Sequence, residues 1–526
     1  MTDPAKRTAG GEHGPPPVSL PGRLTAAVKA RPLLSLILLA AFVRLLAAFY
    51  AKGFMASDDH FAVIRPAADW LNGLHTWFDS GRPVARGVLY PYSIYALFYI
   101  LKLLGITDPD RVMLVNRLLH AAWSLALIPL VYYALRAWAD ERAAWMGGLM
   151  AALYAVMPFM AVRNLVEVVS QPLLLAGLLL AERALRGEKG EVPAFWGGVL
   201  IGVSFMIRIQ TAVCGLAVFW VLLALRRYRL VVTFSAGALL MVLVAGLIDY
   251  ISWGMFLSSV IFTLGYQAAR VHSYVTSPWY AHLLTLLVAF IPPFSLLFFA
   301  WVARAAKRLP VLFWAAVVFV AVHSLIPQKQ ERFLLPILPV LIVLGMTGWS
   351  MVRWRDRGWV RGLWAWFWAV NLLLLPVGIF NYSQKARVEP LVRLGRRADV
   401  GGVVAVTIEN PIWLPYYYMG WKGDDFYYVF TQDEIARLPE RIADGDERGL
   451  PPPTHLILFT HRDPEAYLPE LEAVLGPLEL EEHVGPSLAD AILHRLNPRF
   501  NHSKESWVYR LAVPADAALN DEIRSP

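Results

Sequence analysis

Between residues 33 and 380 the chain alternates apolar runs of about 20 residues with short stretches rich in arginine, proline and other polar side chains. Each run is long enough to cross the hydrocarbon core of a bilayer, so the pattern predicts an all-α polytopic membrane bundle. After residue 380 the pattern changes. Residues 385–526 are richer in Asp, Glu, Pro and Gly, and they carry the shorter periods of a water-soluble domain. There, 401–407 and 454–460 read as buried strands, 463–475 as a helix and 491–496 as a last strand. Thr431-Gln432-Asp433-Glu434 is a capping-box start for a helix over 434–442. Strands alternating with helices predict a small α/β layer domain. Its segment 410–421, with Trp413, Tyr416, Tyr417, Tyr418 and Trp421, either stacks on sugar rings, lies at the membrane interface or packs within the domain.

Composition supports the membrane reading: 57% of the residues are hydrophobic, only 17% are charged, and mean hydropathy is +0.49. The net charge of +8 does not point to nucleic acid, because the basic residues cluster between apolar runs, as in cytoplasmic loops. The single cysteine, Cys214, lies inside an apolar run, which leaves no disulfide framework and no thiolate metal site within the chain. Residues 1–30, rich in Pro, Gly and basic side chains, read as a disordered cytoplasmic segment. No cleavage-site pattern precedes the run 33–50, which is therefore expected to be a retained span.

Basic residues also orient the bundle. Lys29/Arg31, Arg136/Arg142, Arg183/Arg186/Lys189, Arg226/Arg227/Arg229, Arg304/Lys307/Arg308 and Arg353/Arg355/Arg357/Arg361 are all assigned to the cytoplasm. From residue 112 onward, one helix out and one back fits between successive clusters. The run 88–106, containing Tyr90, Pro91, Tyr92, Ser93 and Lys102, fits only if it lies in the interface or re-enters. About eleven spans remain, with the N-terminus inside and residues 385–526 outside. The outer loop 52–111, the turns at 163–167, 208–211 and 328–333, and the loop 250–279 then share the outer face. A transporter would more typically set such groups near the bilayer midplane.

The polar residues on that face suggest chemistry. Ser57-Asp58-Asp59-His60-Phe61 places two adjacent carboxylates at the exit of the first run. In a dry cleft both cannot ionise freely, so one pKa is pushed up, which is one way to make a general base. A solvated loop is the alternative. Arg163-Asn164-Leu165-Val166-Glu167 sits at a helix–helix turn, where Glu167 either starts a helix or faces the same cavity as Asp58. Arg208, in Arg208-Ile209-Gln210-Thr211, either snorkels to the interface or serves a phosphate with its planar fork. In Gln328-Lys329-Gln330-Glu331-Arg332-Phe333, two cations on the outer side suit a leaving phosphate, with His323 close before them. Tyr266, Gln267, Arg270 and His272 line the loop 252–279 as cleft-shaping candidates. There is no Gly-rich phosphate loop, HExxH or GxSxG. No metal site is indicated, since Asp58, Asp59 and His60 are too close in sequence to form one unaided. Asn381-Tyr382-Ser383 and Asn501-His502-Ser503 match the glycosylation sequon, which matters only in a secretory compartment.

In this order, the pieces resemble the polyprenyl-phosphate-sugar-dependent membrane glycosyltransferases of superfamily C, the GT-C type. The nearest branch holds the GPI and asparagine-linked-glycan alpha-mannosyltransferases. Asp58-Asp59-His60-Phe61 is similar to the family's first-loop acid pair followed by Phe. Arg86-Gly87-Val88-Leu89-Tyr90-Pro91 resembles its Arg…Tyr-Pro element, and Arg208 to Thr211 its Arg-x-Gln-Thr element. Ser277-Pro278-Trp279-Tyr280 resembles a Pro-Trp-Tyr segment, and Gln328 to Phe333 a His-Lys-Glu-x-Arg-Phe turn. The likeness covers roughly residues 58–344. The family's His is Gln328 here, its Glu is Gln330, and the acid pair is Asp-Asp, while Lys329, Arg332 and Phe333 are kept.

The resemblance implies inverting transfer of a sugar, expected to be mannose, from a polyprenyl-phosphate donor to a hydroxyl of a lipid- or glycan-linked acceptor. Asp58 would take the proton, with Asp59 raising its pKa or orienting the acceptor. Lys329, Arg332, Arg208 and His323 would hold the donor phosphate; Glu167, Arg163, Tyr266, Arg270 and Tyr90 would contact substrate. No metal or other cofactor is required on this reading, because cationic side chains replace a metal at a single phosphate. Membrane lipids are the other partners, and no nucleic acid is expected. A bacterial inner membrane with the site facing the periplasm is the expected setting, with the endoplasmic reticulum as the alternative. A transporter or flippase of lipid-linked sugars and a non-catalytic glycan-assembly subunit are the competing classes.

Overall fold

The computed structural model describes residues 30–512, apart from 75–76, 78–82, 85, 188, 271–275, 410, 412, 423–425, 461–462 and 499–504. The N-terminal segment before residue 30, His272 and the sequon at Asn501 lie outside the described residues, as does the side chain of Trp421.

Among the described residues, five helices are long and apolar enough to cross a membrane. They are Pro32–Tyr50, Pro109–Trp138, Tyr228–Trp253, Glu331–Ser350 and Gly358–Ile379. Ala281–Ala289 and Phe294–Arg304 make a sixth if this pair, bent by 107°, is one span. Helices of this length do not add up to the expected count of about eleven; further apolar runs form shorter helices, among them Glu191–Ile207 and Pro310–Leu325. Arg208 ends Glu191–Ile207, and a tight turn over Ile209–Thr211 precedes Ala212–Ala224. Pro292 and Pro293, which lack N–H groups, interrupt the bent pair. Gln171–Ala184 has only 14 residues; at about 1.5 Å per residue such a helix falls short of a ~30 Å core. Leu89–Leu103, the stretch that charge assigned to the interface, is a 15-residue helix outside the candidate spans.

Leu338–Ser350 is the central helix, with every residue from Leu338 to Trp349 buried. Gly348 lets it approach the helix carrying Trp301, since a Cβ there would meet the Trp301 carbonyl oxygen at 1.8 Å. Where helices break inside the bundle, no water is at hand for their freed carbonyls, and arginines supply the donors. Arg44 donates to Ala151 O at 2.9 Å, Ala152 O at 3.1 Å and Ser124 Oγ at 2.8 Å, closing the end of Glu141–Leu153. Arg117 Nε donates to Ala48 O at 2.7 Å.

The C-terminal sheet has five strands: β1 Gly402–Val406, β2 Phe426–Val429, β3 Pro453–Phe459, β4 Leu478–Val484 and β5 Ser506–Leu511, in the order β2-β1-β3-β5-β4. β1 is parallel to β2 and β3; β5 is antiparallel to β3 and β4. The expected strand over 491–496 is instead the end of the helix Leu488–Leu496, capped by Ser487 Oγ. Leu488, Ile492 and Leu496 recur every four residues, which is helical spacing. The Thr431 side chain caps nothing, and the helix begins at Leu438 rather than 434. Helix Leu468–Leu475 takes the later part of the expected 463–475.

The aromatic segment before β2 packs onto the membrane bundle. Tyr418 stacks on His60 with centroids 5.6 Å apart, and Tyr417 on Phe98 at 5.3 Å. The Tyr416 hydroxyl donates to Asp69 and accepts from Arg65 Nε at 3.0 Å. The tyrosines of this segment pack, but across to residues 60–98 rather than within the sheet-bearing part alone, and so brace the loop that carries the acid pair.

Candidate functional site

Past Tyr50 the chain turns into Ser57–Asp59, widens to a π-helical turn over His60–Ile64 and continues as Arg65–Leu71. Asp59 helps to form this turn itself: its Oδ2 accepts from Met55 N at 3.0 Å. The turn aims the two acids apart. Part of the Asp58 side chain, 36%, stays open, whereas Asp59 is 3% exposed.

Asp58 faces a cavity of about 800 Å³, and every polar segment assigned to one face contributes to its wall: 57–59, 164–167, 207–210, 263–267 and 328–333. Along that wall runs a ladder of charges. Arg86 Nη2 lies 2.6 Å from Asp58 Oδ1, and Arg332 Nη2 lies 2.5 Å from Asp58 Oδ2. Arg332 Nε is 3.8 Å from Glu167 Oε1, and Arg208 Nη1 reaches the same oxygen at 2.7 Å. Gln330 Oε1 accepts from Arg332 Nε at 2.6 Å. The Phe333 ring sits against both Arg208 and Arg332, 5.4 and 5.7 Å from their guanidinium carbons. Three guanidiniums against two carboxylates leave one positive charge in excess, in a cleft where screening is weak.

The two acids differ electrostatically. Burial alone would raise Asp58, but the charges and hydrogen bonds of Arg86 and Arg332 outweigh it and hold the carboxyl below the ordinary range. Burial pushes Asp59 up to about 7, against the pull of the Met55 N–H and the Arg163 charge. The raised acid is therefore Asp59, and desolvation raises it; Asp59 does not raise Asp58, as the sequence suggested.

The other candidates divide. Tyr266 lines the cavity, with Arg270 lying 5.1 Å over its ring on an exposed helix face. Glu167 does both things expected of it: it stands in the first turn of the short helix Val166–Val169, and it lines the cavity, buried and paired with Arg208. Lys329 is not on the cavity wall: its Nζ donates to Ile326 O at 2.7 Å and Ser277 O at 3.1 Å. His323 is buried behind Phe333, with Nδ1 bonded to Phe319 O at 2.8 Å. Arg163 gives Nη1 to Lys52 O and Gly53 O at 2.8 Å each, and Nη2 to Asn381 O at 3.3 Å and Ser383 Oγ at 3.2 Å. Those bonds clamp backbone and leave little to offer a substrate. Tyr90 is buried, 2.6 Å from His120 Nε2, and accepts from Asn164 at 3.1 Å. Arg86 and Gln330 were named only as parts of motifs, yet both bear on Asp58. Arg86 could have been found from its place ahead of Tyr90-Pro91. Among the described residues no group of three or more His, Cys, Asp or Glu side chains is arranged to hold a metal ion.

A sequence model of the Alg9-like mannosyltransferase family matches residues 35–393, more than half of the chain. No curated protein matches by sequence. Among solved structures, ArnT from Cupriavidus metallidurans bound to undecaprenyl phosphate is 13% identical, with a TM-score of 0.58 over 92% of this chain and 99% of that one. Its apo form gives 12% identity, a TM-score of 0.58, and coverage of 92% and 98%. At such identities the likeness concerns the fold, that of the GT-C glycosyltransferases. The Archaeoglobus fulgidus oligosaccharyltransferase, in complex with Zn and sulfate, is a more distant match: 13% identity, a TM-score of 0.48, and coverage of 86% and 72%.

Proposed function

The chain belongs to the Alg9-like mannosyltransferase family and is an integral membrane glycosyltransferase, and on that premise we propose its donor, its base and the face on which it works. The donor is a polyprenyl-phosphate sugar, expected to be mannose, and the acceptor is a hydroxyl of a lipid- or glycan-linked molecule. The ladder Arg86–Asp58–Arg332–Glu167–Arg208 carries this reading, because it sets one open carboxylate among three guanidiniums on a cavity of about 800 Å³. An ArnT structure of the same fold with undecaprenyl phosphate bound supports the lipid class.

The acceptor oxygen bonds to the anomeric carbon as the bond from that carbon to the phosphate oxygen breaks. The electron pair leaves with the phosphate, the hydroxyl proton passes to Asp58, and the anomeric centre inverts. Arg332, Arg208 and Arg86 stabilise the charge growing on the phosphate in a site where each interaction is strengthened by exclusion of water. A phosphate competing for Arg86 and Arg332 also withdraws the two cations that depress Asp58, so donor binding makes Asp58 a better base. The guanidiniums supply the positive charge that a metal would otherwise bring, and no metal is required on this reading. The site is assigned to the periplasmic or luminal face, in keeping with basic clusters at the opposite helix ends.

The test uses detergent-purified protein, a panel of radiolabelled polyprenyl-phosphate sugars and a membrane-lipid extract. Wild type transfers label from one donor, and Asp58→Asn lowers turnover by about 10²–10⁴-fold. Equal transfer by both proteins removes Asp58 from the chemistry. Donor translocation without transfer would instead identify a carrier, and binding without turnover an assembly subunit.

A further inference from the structure

Beneath the acid loop lies a second, much smaller space of about 10 Å³, whose lining includes Asp59, His60, Arg163 and Tyr418. All four are almost wholly buried, at 3%, 1%, 2% and 2% exposure. Each carries one buried polar atom without a hydrogen-bond partner among the described residues: Asp59 Oδ1, His60 Nδ1, Arg163 Nε and Tyr418 Oη. Buried polar atoms are rarely left unpaired, and four of them on residues that line one small space call for a common ligand.

The ligand's chemistry follows from the inventory. Arg163 Nε–H can only donate, and the Tyr418 hydroxyl can donate. Asp59 Oδ1 accepts when the carboxyl is ionised, and His60 Nδ1 accepts when the ring proton is on Nε2. When Asp59 carries its proton on Oδ1 it donates and the Tyr418 hydroxyl accepts instead, which keeps two donors and two acceptors. Two donors and two acceptors are the complement of one water molecule, which offers two lone pairs and two hydrogens. The volume also suits a single water. A cation is opposed by Arg163 and by Arg117, which lines the same space; an anion is opposed by the Asp59 carboxyl.

We propose that one water molecule occupies this space and makes Tyr418 a positioning residue for the acid loop. Asp59 and Asn164 line both the small space and the large cavity, so Asp59 is a wall shared by the two. The water ties Asp59 on one side to Arg163 of the bundle and on the other to Tyr418, which comes from the sheet-bearing part. It thereby fixes the neighbour of Asp58 from two separate segments. The water site stands on this geometry alone; its effect on turnover rests on the glycosyl-transfer reading above.

Cryo-electron microscopy of the full chain in lipid nanodiscs, at a resolution that shows waters, decides the site. One peak within about 2.7–3.2 Å of the four atoms is expected. A collapsed space with Tyr418 Oη directly on Asp59, or a peak coordinated as a metal ion, overturns the proposal. Tyr418→Phe keeps the ring stacked on His60 and removes only the hydroxyl. It is expected to lower kcat about tenfold at unchanged donor KM and nearly unchanged melting temperature. Unchanged kcat in that variant overturns the positioning role. Absence of turnover in wild type would count against the glycosyl-transfer reading, while the density would still decide the water.

Discussion

Two groups of arginines divide the labour in this bundle. Arg44, Arg117 and Arg163 lie in the seams between broken helices and give their guanidiniums mainly to backbone carbonyls. Arg86, Arg208 and Arg332 border the cavity and pair with carboxylates. A buried backbone carbonyl at a helix break has no other donor at hand, so a seam arginine has little to exchange. A carboxylate–guanidinium pair can be re-partnered when another anion enters, so the cavity arginines are available to a substrate. Burial therefore does not tell a functional arginine from a structural one; the identity of its acceptor does.

Substitutions separate the groups. Arg332 touches both Asp58 and Glu167, so Arg332→Gln is expected to cut turnover by about 10²–10³-fold at nearly unchanged melting temperature. Arg332→Lys should recover little, since a point charge cannot bridge two carboxylates as the planar fork does. Steady-state kinetics and thermal melts on the same samples check both variants. If Arg332→Gln melts early and the folded fraction turns over normally, the distinction between the groups fails. Arg163→Gln is expected to melt early, with a loss of turnover in the folded fraction no larger than the roughly tenfold expected of Tyr418→Phe. It strips donors from Lys52, Gly53 and Asn381 and should lower unfolding stability by roughly 3 kcal/mol.

A smaller effect concerns the acid that faces the seam. Asp59 titrates at about 7 in the folded protein against an ordinary 3.8. The folded state thus keeps its proton after the unfolded state has lost it. The contribution of Asp59 to stability is full below the ordinary value, declines across the window from about 4 to about 7, and is flat above. Melting temperatures across that window should show this decline in wild type and lose it in Asp59→Asn. Smallest of all is Lys329→Ala. Its ammonium serves two carbonyls away from the cavity wall, so turnover should stay within about twofold of wild type. A tenfold loss would return Lys329 to the phosphate site.

Much of the candidate site was legible in advance. Asp58, Glu167, Arg208, Arg332 and Tyr266 all stand on the cavity wall; Asp58 and Arg208 stand out because charge beside an apolar run is costly without a use, Arg332 as a cation on the outer side, and Tyr266 as part of a polar outer loop. Arg163, Lys329 and His323, expected at the substrate or the donor phosphate, give their polar atoms to backbone carbonyls instead. Cost marks a residue as needing a partner but does not name the partner. The helix over 488–496 shows the corresponding limit for local structure: a short apolar stretch was read as a strand, although Ser487 and a four-residue leucine–isoleucine spacing specify a helix.

Apolar runs, their arginine-rich punctuation and the order of the short motifs are local properties of the chain. By themselves they determined a helical membrane protein, a C-terminal α/β part and the family. Other features required the tertiary structure: which runs break, which acid is raised and by what, and which arginines meet carboxylates. Asp58 and Arg332 are 274 positions apart, and nothing in either segment specifies the other. Their pairing, and the burial that separates Asp58 from the adjacent Asp59, arise only when distant turns are packed around one cavity, because desolvation and Coulomb energy depend on distances that sequence spacing does not contain.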